Sequence, residues 1–126
     1  MPSVTWQDSL KAGRTLIIDG GMGTELQRRG VPMNEVVWSG AAVLTHPQVV
    51  QAVHEDYIRA GADIIITNTF GSTRQMLAGI GREADVKQVH QRAVSLAQEA
   101  RAATADRSVA IAGSPTGVRP RSLSTS

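Results

Sequence analysis

No cysteine occurs in this chain of 126 residues. Disulfides, thiolate metal sites and a cysteine nucleophile are therefore excluded among its own residues. Aromatic residues are nearly as scarce, with two Trp, one Tyr and one Phe. A nucleic-acid binder would cluster Lys and Arg on one element with stacking aromatics between them; here the charges are scattered, so no nucleic-acid partner is expected. There is no run of about 18 apolar residues, and the opening MPSVTWQDSLKAGR has no apolar stretch of signal-peptide length. No membrane role and a soluble, cytoplasmic location are expected. Charge of either sign is also nearly absent in net terms. The formal value is +2, and Arg119 and Arg121 in the tail account for it, leaving 11 basic against 11 acidic residues.

What is present suits one small globular domain: 41% hydrophobic residues with β-branched runs set between Gly, Asp and Asn. Leu16 to Ile18, Ala62 to Thr67 and Ser108 to Ala112 read as buried parallel strands. Between the first two, Val49, Val50, Val53, Tyr57 and Ile58 fall on one helical face. Pro47 suits the first turn, Thr45 or His46 can cap it, and Gly61 can close it, giving a crossover helix of about 14 residues. Between the second and third, Val86, Val89, Ala93, Leu96, Ala97 and Ala100 repeat at helical spacing, with Asp85 near the start. The alternation predicts an α/β fold of parallel (β/α) units, either open or closed into a barrel. The segment from Ser114 onward, SPTGVRPRSLSTS, reads as a disordered tail.

Chemistry is expected where the strands end. Asp19 follows the first strand, and Gly20, Gly21 and Gly23 surround Met22 in DGGMG. Glycines permit close backbone approach, and free N–H groups opening a helix attract a carboxylate or phosphate. With Asp19 positioned for a cation, the pair suits a zwitterionic amino acid; equally, Asp19 can simply cap a tight turn. The dinucleotide fingerprint fails because Leu26 stands at the third glycine position, and no Gly-Lys-Ser/Thr follows. The second strand runs into TNTFGS, bringing Thr67, Asn68 and Thr69 to the same sheet edge, as ligand donors or as loop caps. Glu25 reads as a surface helix residue. His46 sits at a helix start, while His54 and His90 are expected on the outer faces of the crossover helices, with no metal role. Trp38, in VVWSG, either packs or lines the pocket mouth.

The motifs DGGMGTELQRRG and WSGAAVLTHPQVVQAVHEDYIRAGADIIITNTF, in this order, resemble the N-terminal portion of the homocysteine S-methyltransferases, over about Leu16 to Gly113. The resemblance implies a (β/α)8 barrel with homocysteine at the carboxyl ends of the strands. It implies that Asp19 binds the amino group, the backbone at Gly20 and Gly21 the carboxylate, and that Thr67, Asn68 and Thr69 line the pocket. Trp38 matches a tryptophan that in the betaine-dependent relatives contacts the methyl donor. The family holds zinc on three cysteines from later strands, and that metal turns the substrate thiol into a thiolate. Such barrels run to about 250 residues, so residues 1–113 would supply three of eight strands and 114–126 a tail. No catalytic or metal-binding residue is assigned to this chain, from which the zinc site cannot be assembled alone. A truncated or frame-shifted product is expected. Three alternatives stay open: methyl transfer to homocysteine, a non-catalytic chain that is either a vestigial fragment or a module needing a complementing chain to complete the barrel, and a small α/β anion-binding protein.

Overall fold

The computed structural model describes residues 5–32, 41–68, 81 and 83–113. Trp38, Thr69 and the tail from Ser114 lie outside the described residues. The architecture is mixed α/β with a small parallel sheet.

The chain opens with helix α1, Trp6–Lys11, which no apolar period announces. Thr5 starts it by accepting the Asp8 N–H at 3.1 Å, and Gly13, at a φ of 82°, ends it. Helix α2, Met22–Arg28, begins directly after Gly21 and buries Leu26. The short helix α3, Ala42–Thr45, runs into α4, Pro47–Ala60.

Helix α4 has the expected 14 residues, with Pro47 in the first turn, where a missing N–H costs nothing. The expected side-chain cap is not formed. His46 occupies the cap position with its Nδ1 2.8 Å from the Thr45 hydroxyl, and its carbonyl takes the Val49 and Val50 amides. With α3 ending immediately before, the backbone already supplies the acceptors there. At the other end Gly61 adopts φ 115°, while the Ala62 N–H reaches back to the Tyr57 carbonyl at 3.0 Å. That pairing is the left-handed glycine stop anticipated from sequence.

Helix α5, Val86–Thr104, follows a single 3₁₀ turn at Glu83–Asp85. It packs along α4 through a stripe of small residues. Val50 and Val53 meet Val89 and Ala93 in one buried cluster, while Ile58 joins Ala97, Ala100 and Ile65 in a second. Fully burying an aliphatic side chain of this size is worth about 1.5–3 kcal/mol, so these two clusters are the chief source of stability.

Strands β1, Ile64–Ile66, and β2, Ala110–Ala112, pair in parallel, with Ile65 opposite Ile111. Both are shorter than the apolar runs that contain them. Leu16 to Ile18 does not become a strand: Ile18 makes one isolated bridge to Ile64. The Asp63 side chain takes the Ile17 N–H at 3.0 Å, substituting a carboxylate for a ladder partner. Ile65 and Ile111 are buried toward the helices, whereas Ile64 and Ile66 on the opposite face are only half-buried. Ile17 and Ile18 are 55% and 57% exposed.

His54 corrects the sequence expectation. It is fully buried, not on the outer face of its helix. It lies one turn from both Val50 and Ile58, so the same spacing that buries them buries it.

Candidate functional site

Asp19 emerges from the first apolar segment at the carboxyl end of β1. Its amide donates to the Ile64 carbonyl at 3.0 Å, and its Oδ2 accepts the Ile66 N–H at 3.0 Å. The other oxygen, Oδ1, is buried and has no hydrogen-bond partner among the described residues. Burial raises the carboxyl from its ordinary 3.8 to about 6, the Ile66 hydrogen bond offsetting only part of the effect. A buried carboxylate oxygen without a donor is costly. It is relieved by a proton or by an N–H-bearing cation.

Thr67 and Asn68 follow Ile66 directly and are 4% and 5% exposed. The Thr67 N–H donates to the Ala112 carbonyl at 2.9 Å, which continues the ladder one residue beyond β1. The structure thus brings Asp19, Thr67 and Asn68 to the same end of the small sheet.

The glycine turn adjoins Asp19. Tyr57, on α4, donates its hydroxyl to the Gly21 carbonyl at 2.9 Å. A Cβ at Gly20 would stand 2.7 Å from that hydroxyl oxygen, and one at Gly21 would stand 2.6 Å from the Thr24 Oγ1. Neither glycine has a positive φ, so what a side chain would meet there is close approach: Tyr57 would have to shift for a Cβ at Gly20, whereas the exposed Thr24 hydroxyl can rotate away from one at Gly21. Burial and the carboxylates of Glu25 and Asp19 push the Tyr57 phenol up, so it stays a neutral donor. From sequence Tyr57 is one more apolar-face residue; its contact with a residue 36 positions earlier has no sequence signal.

Glu25 is a surface helix residue, as expected. It pairs with Arg28 at 2.9 Å and Arg29 at 3.3 Å, and Arg29 continues to Asp56 on α4 at 2.7 Å. The Arg28 hydrogen bond chiefly holds its carboxyl below the usual range. These partly exposed pairs tie α2 to α4 and contribute little individually.

His46 and His90 are half-buried and stand apart in the chain from buried His54. Among the described residues no three His, Asp or Glu side chains gather as a metal site, and the chain has no cysteine. The residues present therefore do not fit zinc by themselves. Nor is any described helix long and apolar enough to cross a membrane.

A cavity of about 850 Å³ lies at the opposite, amino-terminal ends of the strands, lined by Trp6, Leu16, Asp63, Arg107 and Ile111 among others. Arg107 is already committed there to the carbonyls of Ile58 and Ala62, at 2.9 and 2.7 Å. In parallel α/β sheets ligands gather at the carboxyl ends, the end at which Asp19 lies and opposite this cavity.

The sequence pattern of the family described as homocysteine S-methyltransferase matches residues 16–122. The chain belongs to the homocysteine S-methyltransferase family. It is 41% identical over 92 residues to a selenocysteine methyltransferase of Astragalus bisulcatus, covering 72% of this chain and 27% of that protein. It is 39% identical over 87 residues to the homocysteine S-methyltransferase YbgG of Bacillus subtilis, covering 68% of this chain and 28% of that protein. Among solved structures, the metallated form of the Escherichia coli homocysteine methyltransferase MmuM superposes with a TM-score of 0.74 at 33% identity, over 86% of this chain and 40% of that one. The chain thus spans less than a third of the length of these curated methyltransferases. Asp19, the glycine turn, Tyr57, Thr67 and Asn68 all fall within the segment that matches the family.

Proposed function

We propose that this chain forms the homocysteine-binding part of a methyltransferase that moves a methyl group onto the thiol of homocysteine, giving methionine. Residues 1–113 correspond in this account to the first three strands of a (β/α)8 barrel, acting in the cytoplasm. The observation that carries the proposal is the orphaned, buried Oδ1 of Asp19 beside the end of β1. An α-ammonium group supplies both the charge and the N–H donors that this oxygen lacks.

The remaining assignments follow from the family. The backbone at Gly20 and Gly21 receives the substrate carboxylate. Thr67, Asn68 and Thr69 line the pocket, and Trp38 faces the methyl donor. A free thiol near pKa 8.5 is largely protonated at neutral pH, and bound zinc supplies the thiolate in this chemistry. The groups for that activation belong to residues beyond these, in the same polypeptide or in a complementing one. What this chain contributes is recognition: Asp19 orients the amino acid by its ammonium end, leaving the thiol free to point elsewhere.

Calorimetric titration of the chain with homocysteine, and separately with inorganic phosphate, tests the proposal. Saturable binding of homocysteine is expected. Phosphate binding without homocysteine binding would favour a plain anion site and overturn it.

A further inference from the structure

Tyr57 has a side chain divided between two tasks. Its ring packs, half-buried, against both core clusters, where an apolar ring alone would serve. Its hydroxyl leaves that packing to bond the Gly21 carbonyl at 2.9 Å. On the other side of the turn, Gly20 approaches so closely that a Cβ would lie 2.7 Å from the hydroxyl and 3.1 Å from ring carbons Cε1 and Cζ.

The turn thus rests on Tyr57 through one hydrogen bond at Gly21 and one close approach of Gly20 to the phenol end of the ring. Asp19 precedes it by one residue, and Asp19 is itself tied to β1 through Ile66. The helix carrying Tyr57 is fixed independently by Val50, Val53 and Ile58 in the core. A rigid element therefore holds the segment whose own residues, Asp19 to Gly21, carry no side chain larger than a carboxylate to anchor themselves.

We infer that Tyr57 is a positioning residue, which through its hydroxyl fixes the Gly20–Gly21 backbone relative to Asp19 and so sets the geometry in which an amino-acid ligand is received. It touches no substrate atom in this role. The ligand part of the inference rests on the homocysteine proposal above; the positioning of the turn does not.

Tyr57→Phe keeps the ring and removes the contact in question. Backbone order parameters at Gly20 and Gly21 are expected to fall from the rigid range, about 0.85, toward the flexible range below about 0.6. Homocysteine affinity should fall roughly threefold to tenfold, the scale of one net hydrogen bond, with core amides of α4 and α5 unchanged. Gly20→Ala, which presses a methyl against the same hydroxyl, is the second variant and should weaken affinity likewise. Wild-type affinity in Tyr57→Phe overturns the inference whatever the turn does. If the wild-type chain binds no homocysteine, the substrate proposal fails on its own, and the order parameters decide: a drop in Tyr57→Phe supports the positioning role and unchanged values overturn it.

Discussion

The Asp19 Oδ2 lies 3.0 Å from the Ile66 amide nitrogen, joining residues 47 positions apart across the end of the sheet. Leu16 to Ile18 contributes a single bridge, and this side-chain bond adds to the backbone bonds beside it, from the Asp19 N–H to the Ile64 carbonyl and from the Asp63 and Ile64 N–H groups to the Ile17 carbonyl. One carboxylate oxygen is spent on the fold and the other, Oδ1, is left in a closed space without a donor among the described residues.

Asp19 makes stability fall with rising pH. Its folded carboxyl keeps its proton to about 6 against an ordinary 3.8. The unfolded chain releases that proton first, so the contribution is full below about 4 and is lost as pH climbs to about 6. Asp19→Asn should remove this contribution, so that stability rises more steeply across that range than in the wild type, as read from denaturant midpoints; an unchanged profile would show that the carboxyl is not desolvated.

His54 acts in the opposite sense over nearly the same window. Both ring nitrogens are buried without partners among the described residues, and desolvation lowers it from 6.5 to about 4. The neutral ring is tolerated, so stability is present above about 6.5 and is lost as pH falls toward 4, by about 3 kcal/mol at the full shift. His54→Leu should abolish that acid loss and leave neutral-pH stability equal or higher. Because the two slopes oppose, the wild-type profile should be flatter than that of either single variant; a His54→Leu profile that matches wild type would contradict the burial.

Gly61 has open space around it but a φ of 115°. Gly61→Ala should therefore cost about 1 kcal/mol through backbone strain alone, with no loss of packing. Equal stability of the two chains in urea would show that α4 ends differently in solution.

The exposed Ile17 and Ile18 lie beside the weakly paired edge of the sheet, a surface that attracts other strands. The chain should self-associate with increasing concentration, and Ile18→Lys should reduce this, as sedimentation velocity would show. Identical sedimentation of both chains at every concentration would remove the edge as the cause.

The helices were the legible part of the sequence. In α4 and α5 the apolar positions repeat over three or more turns, and Pro47 and Gly61 mark the limits of α4, so boundaries and faces could be read directly. Leu16 to Ile18 has the same composition as a strand, but three residues cannot show whether a partner completes their ladder. His54 departs from the outer face that its polarity suggests because it lies between Val50 and Ile58 on the buried stripe of α4. Helix α1 has no apolar period, although Thr5 and Asp8 in TWQD carry a capping pattern that could have placed its start. The site was legible as a composition, Asp19 with glycines and Thr67 with Asn68 at strand ends. Two of its features were not: the buried, unpaired oxygen of Asp19 and the reach of Tyr57 to Gly21, both products of packing between distant segments.

Homocysteine affinity measured as a function of pH, in the wild-type chain and in Asp19→Asn, tests the central claim most directly. If Asp19 receives the ammonium group, wild-type affinity should rise as pH passes through about 6 and level off above it, while Asp19→Asn binds at least tenfold more weakly with no such rise. Equal affinity in the two chains, or wild-type binding that is flat across that range, would contradict the account.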